Sequence, residues 1–154
     1  MSDRIEKRIE LKATPARVWR ALTDHREFGE WFGAKVNGPF AVGQMSRGRI
    51  TYPGYEHLKW EVLVEKMEPE RLFLFRWSHP KCLEKAEYQG DFAKDPKTLV
   101  EFRLETTPTG TLLKVTESGF EKLPVEQREE WYRRNEGGWA EQMKNVEKYV
   151  AQKP

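Results

Sequence analysis

The fold is decided by residues 5–33, which read IEKRIELKATPARVWRALTDHREFGEWFG. Over residues 5–11 apolar and charged side chains alternate, which is the period of a half-buried antiparallel strand. From residue 14 onward the apolar side chains recur three and four positions apart, which is the period of an amphipathic helix. The segment therefore predicts a strand that is followed directly by helical structure.

Two capping signals divide this helical part. Thr14 before Pro15 predicts the N-cap and the first position of one helix, because a threonine oxygen accepts backbone N–H bonds there and proline has no N–H to satisfy. Asp24 predicts the cap of a second helix, and Gly33 predicts its end. We therefore expect two short helices after the first strand.

Residues 35–118 predict a meander of antiparallel strands. Glycine and proline recur at short intervals and separate segments that are rich in aromatic and β-branched residues. The clearest alternating segments are residues 60–65, 72–77, 100–105 and 113–115. Residues 108–110 predict a turn that joins the last two as a hairpin. Residues 79–96 lack a period and predict a long loop of the kind that can act as a lid.

The last third of the chain predicts one long amphipathic helix. No proline follows Pro124 until the final residue, and one helical face carries a regular apolar stripe of Trp139, Met143, Val146 and Val150. Gly137 and Gly138 lie within this helix, at a cost of roughly 1 kcal/mol each relative to alanine. Two interpretations remain open: the pair marks a kink, or it lets a backbone, a side chain or a ligand approach the helix closely.

This order of elements predicts a single α+β domain over residues 1–154. We expect a curved antiparallel sheet of six to seven strands wrapped around the long C-terminal helix, with two short helices after strand one. A helix laid across a curved sheet cannot contact it everywhere, so a cavity between them is expected. Small apolar molecules bind preferentially in such concave spaces.

The composition predicts an aromatic core and a mixed surface. The 154 residues include 27 lysines and arginines against 25 acidic residues, a formal charge of +2, and the two signs are interspersed. The sequence has no basic stripe, so nucleic acid is not an expected partner. Six tryptophans, eight phenylalanines and five tyrosines compensate for an apolar fraction of only 38%.

The expected location of the protein is cytoplasmic. Cys82 is the only cysteine, so no internal disulfide can form, which fits a reducing compartment. Residues 1–15 contain no apolar signal core, and no segment is apolar over the length that a membrane span requires. We therefore expect neither export nor membrane insertion.

Few residues in the sequence suggest catalysis. His25, His57 and His79 are scattered, and none has a histidine or cysteine partner at metal-ligand spacing. Phosphate loops, serine elbows and zinc-binding HExxH helices are also absent from the sequence. The sequence therefore predicts no metal site and no cofactor, and it favours binding over catalysis.

Three charged residues on predicted strands, Arg76, Arg103 and Glu117, are candidates for a polar site. In one interpretation they face solvent or pair across neighbouring strands. In the other, one or two of them turn inward, where an arginine would orient a carboxylate or carbonyl group of an apolar ligand. Glu117 shares strand parity with the apolar Leu113 and Val115, so it is the carboxylate most worth testing.

The ring-bearing residues either line the expected cavity or fill it. Trp31 and Phe32 end the second short helix, where they would form the cavity mouth or meet a protein partner. The candidate ligand-binding residues are Trp31, Phe32, Trp60, Phe73, Phe75, Trp77, Phe102, Glu117, Phe120, Trp139 and Met143. Flat rings stack on other flat rings, so this set predicts a small hydrophobic ligand, aromatic ones included.

Four segments of the chain carry a resemblance to known proteins. They are residues 9–24 (IELKATPARVWRALTD) with Trp31 following, 66–78 (KMEPERLFLFRWS), 110–120 (GTLLKVTESGF) and 137–150 (GGWAEQMKNVEKYV). Together they resemble the START-like helix-grip (SRPBCC) superfamily and, within it, the family similar to the activator of heat-shock-protein-90 ATPase. The resemblance covers nearly the whole chain and implies the helix-grip fold. It implies little about chemistry, because members bind varied hydrophobic ligands or protein partners and a few are cyclases.

Three hypotheses about function follow. In the first, the domain binds a small apolar molecule between the sheet and the C-terminal helix without covalent chemistry. In the second, it is a protein-interaction module resembling the co-chaperone domain that stimulates a chaperone ATPase. In the third, it is an enzyme of cyclase or hydrolase type, in which Arg76 or Glu117 polarises a carbonyl or moves a proton in the same cavity.

Overall fold

The computed structural model describes residues 4–79 and 92–153. These residues form strands and helices in the order β1 Arg4–Leu11, α1 Pro15–Thr23, α2 His25–Phe32, β2 Ala34–Val36, β3 Met45–Ile50, β4 Lys59–Glu68, β5 Leu72–Ser78, β6 Lys97–Thr107, β7 Gly110–Ser118 and α3 Val125–Gln152. A single 3-10 turn, Phe120–Lys122, lies between β7 and α3.

The strands form one 7-stranded sheet in the order β1-β7-β6-β5-β4-β3-β2. Every neighbouring pair is antiparallel. Helix α3 packs against β1 and against α1 and α2, and so covers the inner face of the curved sheet. The predicted α+β helix-grip fold is confirmed. Within the described residues, no helix has the length and apolar character needed to cross a membrane.

Both predicted helix caps are confirmed. The Thr14 hydroxyl accepts a hydrogen bond from the backbone N–H of Arg17 at 3.1 Å. The Asp24 carboxylate accepts one from the backbone N–H of Glu27, also at 3.1 Å. Gly33 ends α2 with a φ of 92°, a left-handed conformation that glycine adopts without strain. These caps fix where the chain leaves the first strand and turns back toward the sheet.

The predicted strand segments are confirmed and fall within β4, β5, β6 and β7. Thr107 and Gly110 face each other at the end of β6 and the start of β7, so the predicted hairpin turn is also present. Of the predicted long loop, residues 80–91 lie outside the described residues, and Cys82 lies outside them too.

The core is aromatic, as the composition predicted. Five phenylalanines at its centre have no exposed surface: Phe28, Phe73, Phe75, Phe102 and Phe120. Ring pairs connect the layers, for example Phe28 of α2 and Trp60 of β4, whose centroids are 5.3 Å apart. Each ring buries on the order of 150–250 Å². Rings therefore supply the buried area that the low aliphatic content does not.

Helix α3 continues without interruption through Gly137 and Gly138. A Cβ placed at either position would meet nothing within 4 Å, so no described backbone or side chain requires a glycine there. Gly29 in α2 is different, because a Cβ there would lie 2.2 Å from the carbonyl oxygen of Ala34. Among the described residues, one helical glycine thus permits close packing and two face open space.

We predict opposite stability effects for alanine at two of these positions. Gly137→Ala should raise the free energy of unfolding by about 1 kcal/mol, because it lowers the entropy cost of forming the helix and meets no obstacle. Gly29→Ala should lower the free energy of unfolding by about 1–3 kcal/mol, because the new methyl group overlaps a backbone carbonyl. Urea unfolding followed by tryptophan fluorescence measures both. Destabilisation by Gly137→Ala would contradict the open environment described for α3.

Candidate functional site

The centre of the site is the buried carboxylate of Glu117, whose exposed fraction is 0%. Its Oε2 accepts hydrogen bonds from the indole N–H of Trp77 at 2.8 Å and from the hydroxyl of Thr98 at 2.5 Å. Its Oε1 accepts one from the indole N–H of Trp139 at 2.9 Å. The amide of Asn135 donates to both oxygens at 3.0 Å. A charge removed from water thus has hydrogen-bond donors at both of its oxygens.

Strand and helix periodicity bring these donors together. Trp77 on β5 lies directly opposite Thr98 on β6, so both point to the inner face. Glu117 on β7 lies opposite Val100, two residues beyond Thr98 and on the same face. Asn135 and Trp139 are four residues apart on α3, so they share one helical face. The carboxylate therefore connects three strands of the sheet to the long helix.

His79, immediately after β5, completes this cluster and is 3% exposed. Its Nε2 lies 2.7 Å from the hydroxyl oxygen of Thr98 and 3.4 Å from Oε2 of Glu117. Because the Thr98 proton is donated to Glu117, the threonine oxygen is left to accept from Nε2–H of the histidine. The imidazole packs edge-on against Trp131, with ring centroids 4.7 Å apart. A chain of two hydrogen bonds therefore runs from His79 through Thr98 to the Glu117 carboxylate.

The surroundings of Glu117 favour its ionised form. Burial alone would raise its pKa, but the contacts with His79 and the hydrogen bonds from Thr98 and Trp77 hold the pKa below its usual range. The carboxylate is therefore a permanent negative charge at neutral pH and a weak base. This arrangement is suited to holding the indoles in place.

An aromatic cleft of about 700 Å³ lies beside this cluster. Helix α3 forms one wall, and the opposite wall comes from the end of α2, the end of β3, the loop that follows β3, and β5. The lining residues are Phe32, Ile50, Tyr52, Tyr55, Leu58, Trp77, Asn135, Gly138, Trp139, Glu141, Gln142 and Asn145. Trp77 and Asn135 therefore contact Glu117 on one side and border the cleft on the other.

The inner end of the cleft is a group of three rings. Trp77 and Trp139 stack with centroids 5.6 Å apart and planes 25° apart. Phe32 lies 6.1 Å from Trp77 and 6.2 Å from Trp139, centroid to centroid. Because both indole N–H groups are bound to Glu117, these tryptophans border the cleft with carbon-rich surface rather than with hydrogen-bond donors.

Hydrogen bonds from side chains of α3 join this helix to the opposite wall of the cleft. The amide of Gln142 donates to the carbonyl oxygen of Phe32 at 2.8 Å, which joins α3 to the end of α2. The amide of Asn145 donates to Gln142 Oε1 at 3.0 Å and to the Tyr52 hydroxyl at 3.3 Å. The loop that carries Tyr52 and Tyr55 is thereby connected to α3, although both tyrosine side chains keep large exposed fractions.

The structure divides the predicted site residues between this cleft and the core. Phe32, Trp77 and Trp139 line the cleft, and Glu117 lies directly behind it. The remaining candidates are buried and do not border it: Trp31, Trp60, Phe73, Phe75, Phe102, Phe120 and Met143. Of these, Trp31 donates its indole N–H to the carbonyl of Ala21 and borders a neighbouring pocket of about 380 Å³. The buried candidate rings therefore fill the space between the helices and the sheet instead of lining the cleft.

The residues considered for catalysis are not brought together. Glu117 faces inward, whereas Arg76 belongs to the opposite face of β5 and pairs with Glu65 at 2.6 Å. Arg103 pairs with Glu101 of its own strand at 2.5 Å and is partly exposed, which agrees with the interpretation that it faces solvent. Within the described part of the chain, no group of three or more metal-ligating side chains is arranged to hold an ion.

Several residues of the site were missed from sequence. In the sequence His79 is only a scattered histidine without a metal-ligand partner, yet it is buried in the Glu117 cluster. Thr98 also has no local sequence signal, because its partners are Glu117 on β7 and His79 after β5. Tyr52 and Tyr55, in the loop after β3, were also missed, because the position of this loop beside α3 has no local sequence signal.

Replacing the buried charge should destabilise the fold. We expect Glu117→Gln to lower the free energy of unfolding at neutral pH by about 3 kcal/mol, because an amide group cannot accept from all the donors that now surround it. Glu65→Gln is the matched control: it removes a half-exposed charge that pairs with Arg76, and should cost about 0–1 kcal/mol. Urea titrations of both variants measure the difference. Equal effects would contradict the role given to Glu117.

The same variant predicts a pH dependence. The folded-state pKa of Glu117 lies below its usual range, so its ionised form contributes stability above the unfolded-state pKa and loses it as pH falls through the folded value. The stability gap between the natural protein and Glu117→Gln should be constant near neutrality and shrink below about pH 4. Thermal unfolding of both proteins from neutral pH to below pH 4 measures this stability difference. A difference that widens on acidification would contradict the lowered pKa of Glu117.

Comparison with known proteins places the chain within a family. A family model described as "Activator of Hsp90 ATPase homolog 1-like protein" matches residues 12–151. No curated protein matches the sequence significantly.

Solved structures share the fold over nearly the whole chain. Protein MLL2253 from Mesorhizobium loti has a TM-score of 0.75 and 25% identity, with 98% of each chain covered. A protein from Arthrobacter aurescens has a TM-score of 0.74 at 16% identity, covering 97% of this chain and 87% of that one. The Aha1 dimer from Colwellia psychrerythraea has a TM-score of 0.66 at 20% identity, covering 96% and 94%. The resemblance carried by the four sequence segments is confirmed, and the chain belongs to the family of activator of Hsp90 ATPase homolog 1-like proteins.

Proposed function

We propose that this protein binds a small, flat, apolar molecule in the cleft between its sheet and helix α3. The observation that carries the proposal is the cleft of about 700 Å³ whose inner end is formed by Phe32, Trp77 and Trp139. Pockets for small ligands span roughly 300–1,000 Å³ and are lined mainly by aromatic and aliphatic side chains. This cleft agrees with both criteria.

The energetics permit useful affinity. A flat ligand that buries about 300 Å² of apolar surface gains roughly 7 kcal/mol before the loss of its own freedom is counted. The ring pair of Trp77 and Trp139 is already fixed by its hydrogen bonds to Glu117. Little side-chain entropy is therefore lost on binding, and micromolar affinity is within reach.

Gly138 explains why the helix wall leaves room. It borders the cleft, and a Cβ at this position would meet nothing within 4 Å. A side chain here would project into the space that the ligand is proposed to fill. Glycine makes a helix less stable than alanine does. Its presence in α3 is consistent with the interpretation that a ligand approaches the helix at Gly138.

Filling the cleft should therefore block binding. With the neutral fluorescent probe N-phenyl-1-naphthylamine, we expect saturable micromolar binding to the natural protein and at least about tenfold weaker binding to Gly138→Leu, a loss of about 1.4 kcal/mol. Fluorescence titration measures both. The leucine occupies ligand space without removing any contact of the folded protein.

The neighbouring glycine supplies the control. Gly137 is also exposed on α3 and also faces open space, but it does not border the cleft. Gly137→Leu should keep the probe affinity within about twofold of the natural value and show a similar change in helix stability. Equal loss of binding in both variants, or no saturable binding to the natural protein, would contradict the proposal.

A second candidate function is favoured by the family match alone. The family is described by its likeness to an activator of an Hsp90 ATPase, and one structural neighbour is titled as an Aha1 dimer. On this alternative the chain would bind a chaperone and change its rate of ATP hydrolysis. Exposed Tyr52 and Tyr55 at the cleft would then be available to a protein surface.

An ATPase assay separates the two candidates. The hydrolysis rate of purified Hsp90 is measured with and without a molar excess of this protein, at saturating ATP. The ligand-binding proposal expects no change in rate. A saturable increase that is lost in a variant with Tyr52 and Tyr55 both replaced by serine would favour the co-chaperone alternative instead.

A further inference from the structure

Among the described residues, the cleft has no cationic side chain that would hold an anion. Of the described residues that border it, none is a lysine, an arginine or a histidine. The indole N–H groups of Trp77 and Trp139 could donate to an anion, but both are bound to Glu117 at 2.8 and 2.9 Å. The amide of Asn135 donates to the same carboxylate. Donors near the inner end are therefore committed to a charge that already belongs to the protein.

The same lining offers groups that attract a cation. Glu141 on α3 borders the cleft with its carboxylate side chain. Phe32, Tyr52 and Trp77 add aromatic rings, whose faces attract ammonium groups within about 6 Å. Ring faces and a carboxylate along one cleft are complementary to a positive charge.

Nearby cations do not cancel this complementarity. Lys144 Nζ lies 3.6 Å from Oε1 of Glu141, but both side chains are largely exposed. The ion pair is therefore weak. Lys148 borders the neighbouring pocket rather than this cleft. The positive charges of α3 thus lie outside the space that is lined by the rings.

We propose that the cleft selects an aromatic ligand bearing an amine, over an anionic ligand of the same shape. This inference rests on the proposed function, because it specifies the charge of the molecule that the cleft accepts. The flat apolar part of the ligand would pack against Phe32 and Trp77, and its ammonium group would point toward Glu141 at the edge of α3.

The test uses one ring system with three charges. Isothermal titration calorimetry at pH 7 and low ionic strength compares 2-naphthylmethylamine, which is cationic, with neutral 2-naphthylmethanol and anionic 2-naphthoate. We expect the amine to bind about tenfold more tightly than the naphthoate, equivalent to about 1.4 kcal/mol, with the alcohol between them.

A variant pair assigns the preference to Glu141. Glu141→Gln should reduce the ratio of amine to naphthoate affinity by about threefold, the effect of one exposed charge. Glu136 is exposed on α3 and does not border the cleft. Glu136→Gln should therefore leave the ratio unchanged within about twofold, since its charge is separated from the ligand and screened.

Each outcome is decisive. Naphthoate binding as tightly as the amine would overturn this inference while the neutral alcohol, if bound, still supports ligand binding in the cleft. Failure of all three compounds to bind would overturn the proposed function and this inference together. A ratio that is unaffected by Glu141→Gln, or that falls equally with Glu136→Gln, would overturn the assignment of charge selection to the cleft.

Discussion

The rest of the structure depends on the need to satisfy one buried negative charge. Glu117 has no exposed surface, so each of its oxygens requires donors from the protein. Those donors come from β5, β6 and α3, and they include two indole N–H groups. A change in the register of a strand or in the rotation of the helix would leave the charge unpaired, so the carboxylate restricts the helix and the sheet to one relative arrangement.

The cleft follows from the same interaction. Because Trp77 and Trp139 turn their N–H groups toward Glu117, their carbon surfaces border the space beside α3. Deeper in the core, rings such as Phe73 and Phe102 are fully buried, and Phe102 packs edge-on against Trp139 with centroids 5.6 Å apart. Gly138 then keeps the helix wall free of a side chain. One buried charge and one glycine thus explain why only part of this interface is filled.

The sequence predicted the fold more completely than the site, for physical reasons. Helix caps such as Asp24 and the alternation along β4 to β7 are local signals, so the elements and their order could be predicted. The inward position of Glu117 was one of two open interpretations, and parity with its neighbours favoured it. The partnership with His79 and Thr98 depends on strand register and on the helix position, which local patterns do not encode. Seven aromatic or apolar candidates are buried in the core instead of bordering the cleft, because the sequence cannot distinguish packed rings from cleft-lining ones.

The central claim is that the indoles held by Glu117 form the wall of a ligand cleft. The most direct measurement is a ¹⁵N–¹H spectrum of the tryptophan indole groups during titration with N-phenyl-1-naphthylamine. The account predicts saturable shifts of the Trp77 and Trp139 resonances, with the Trp31 resonance unchanged because its N–H is bound to Ala21 away from the cleft. Unchanged Trp77 and Trp139 resonances at saturating probe, or equal shifts for Trp31, would contradict it.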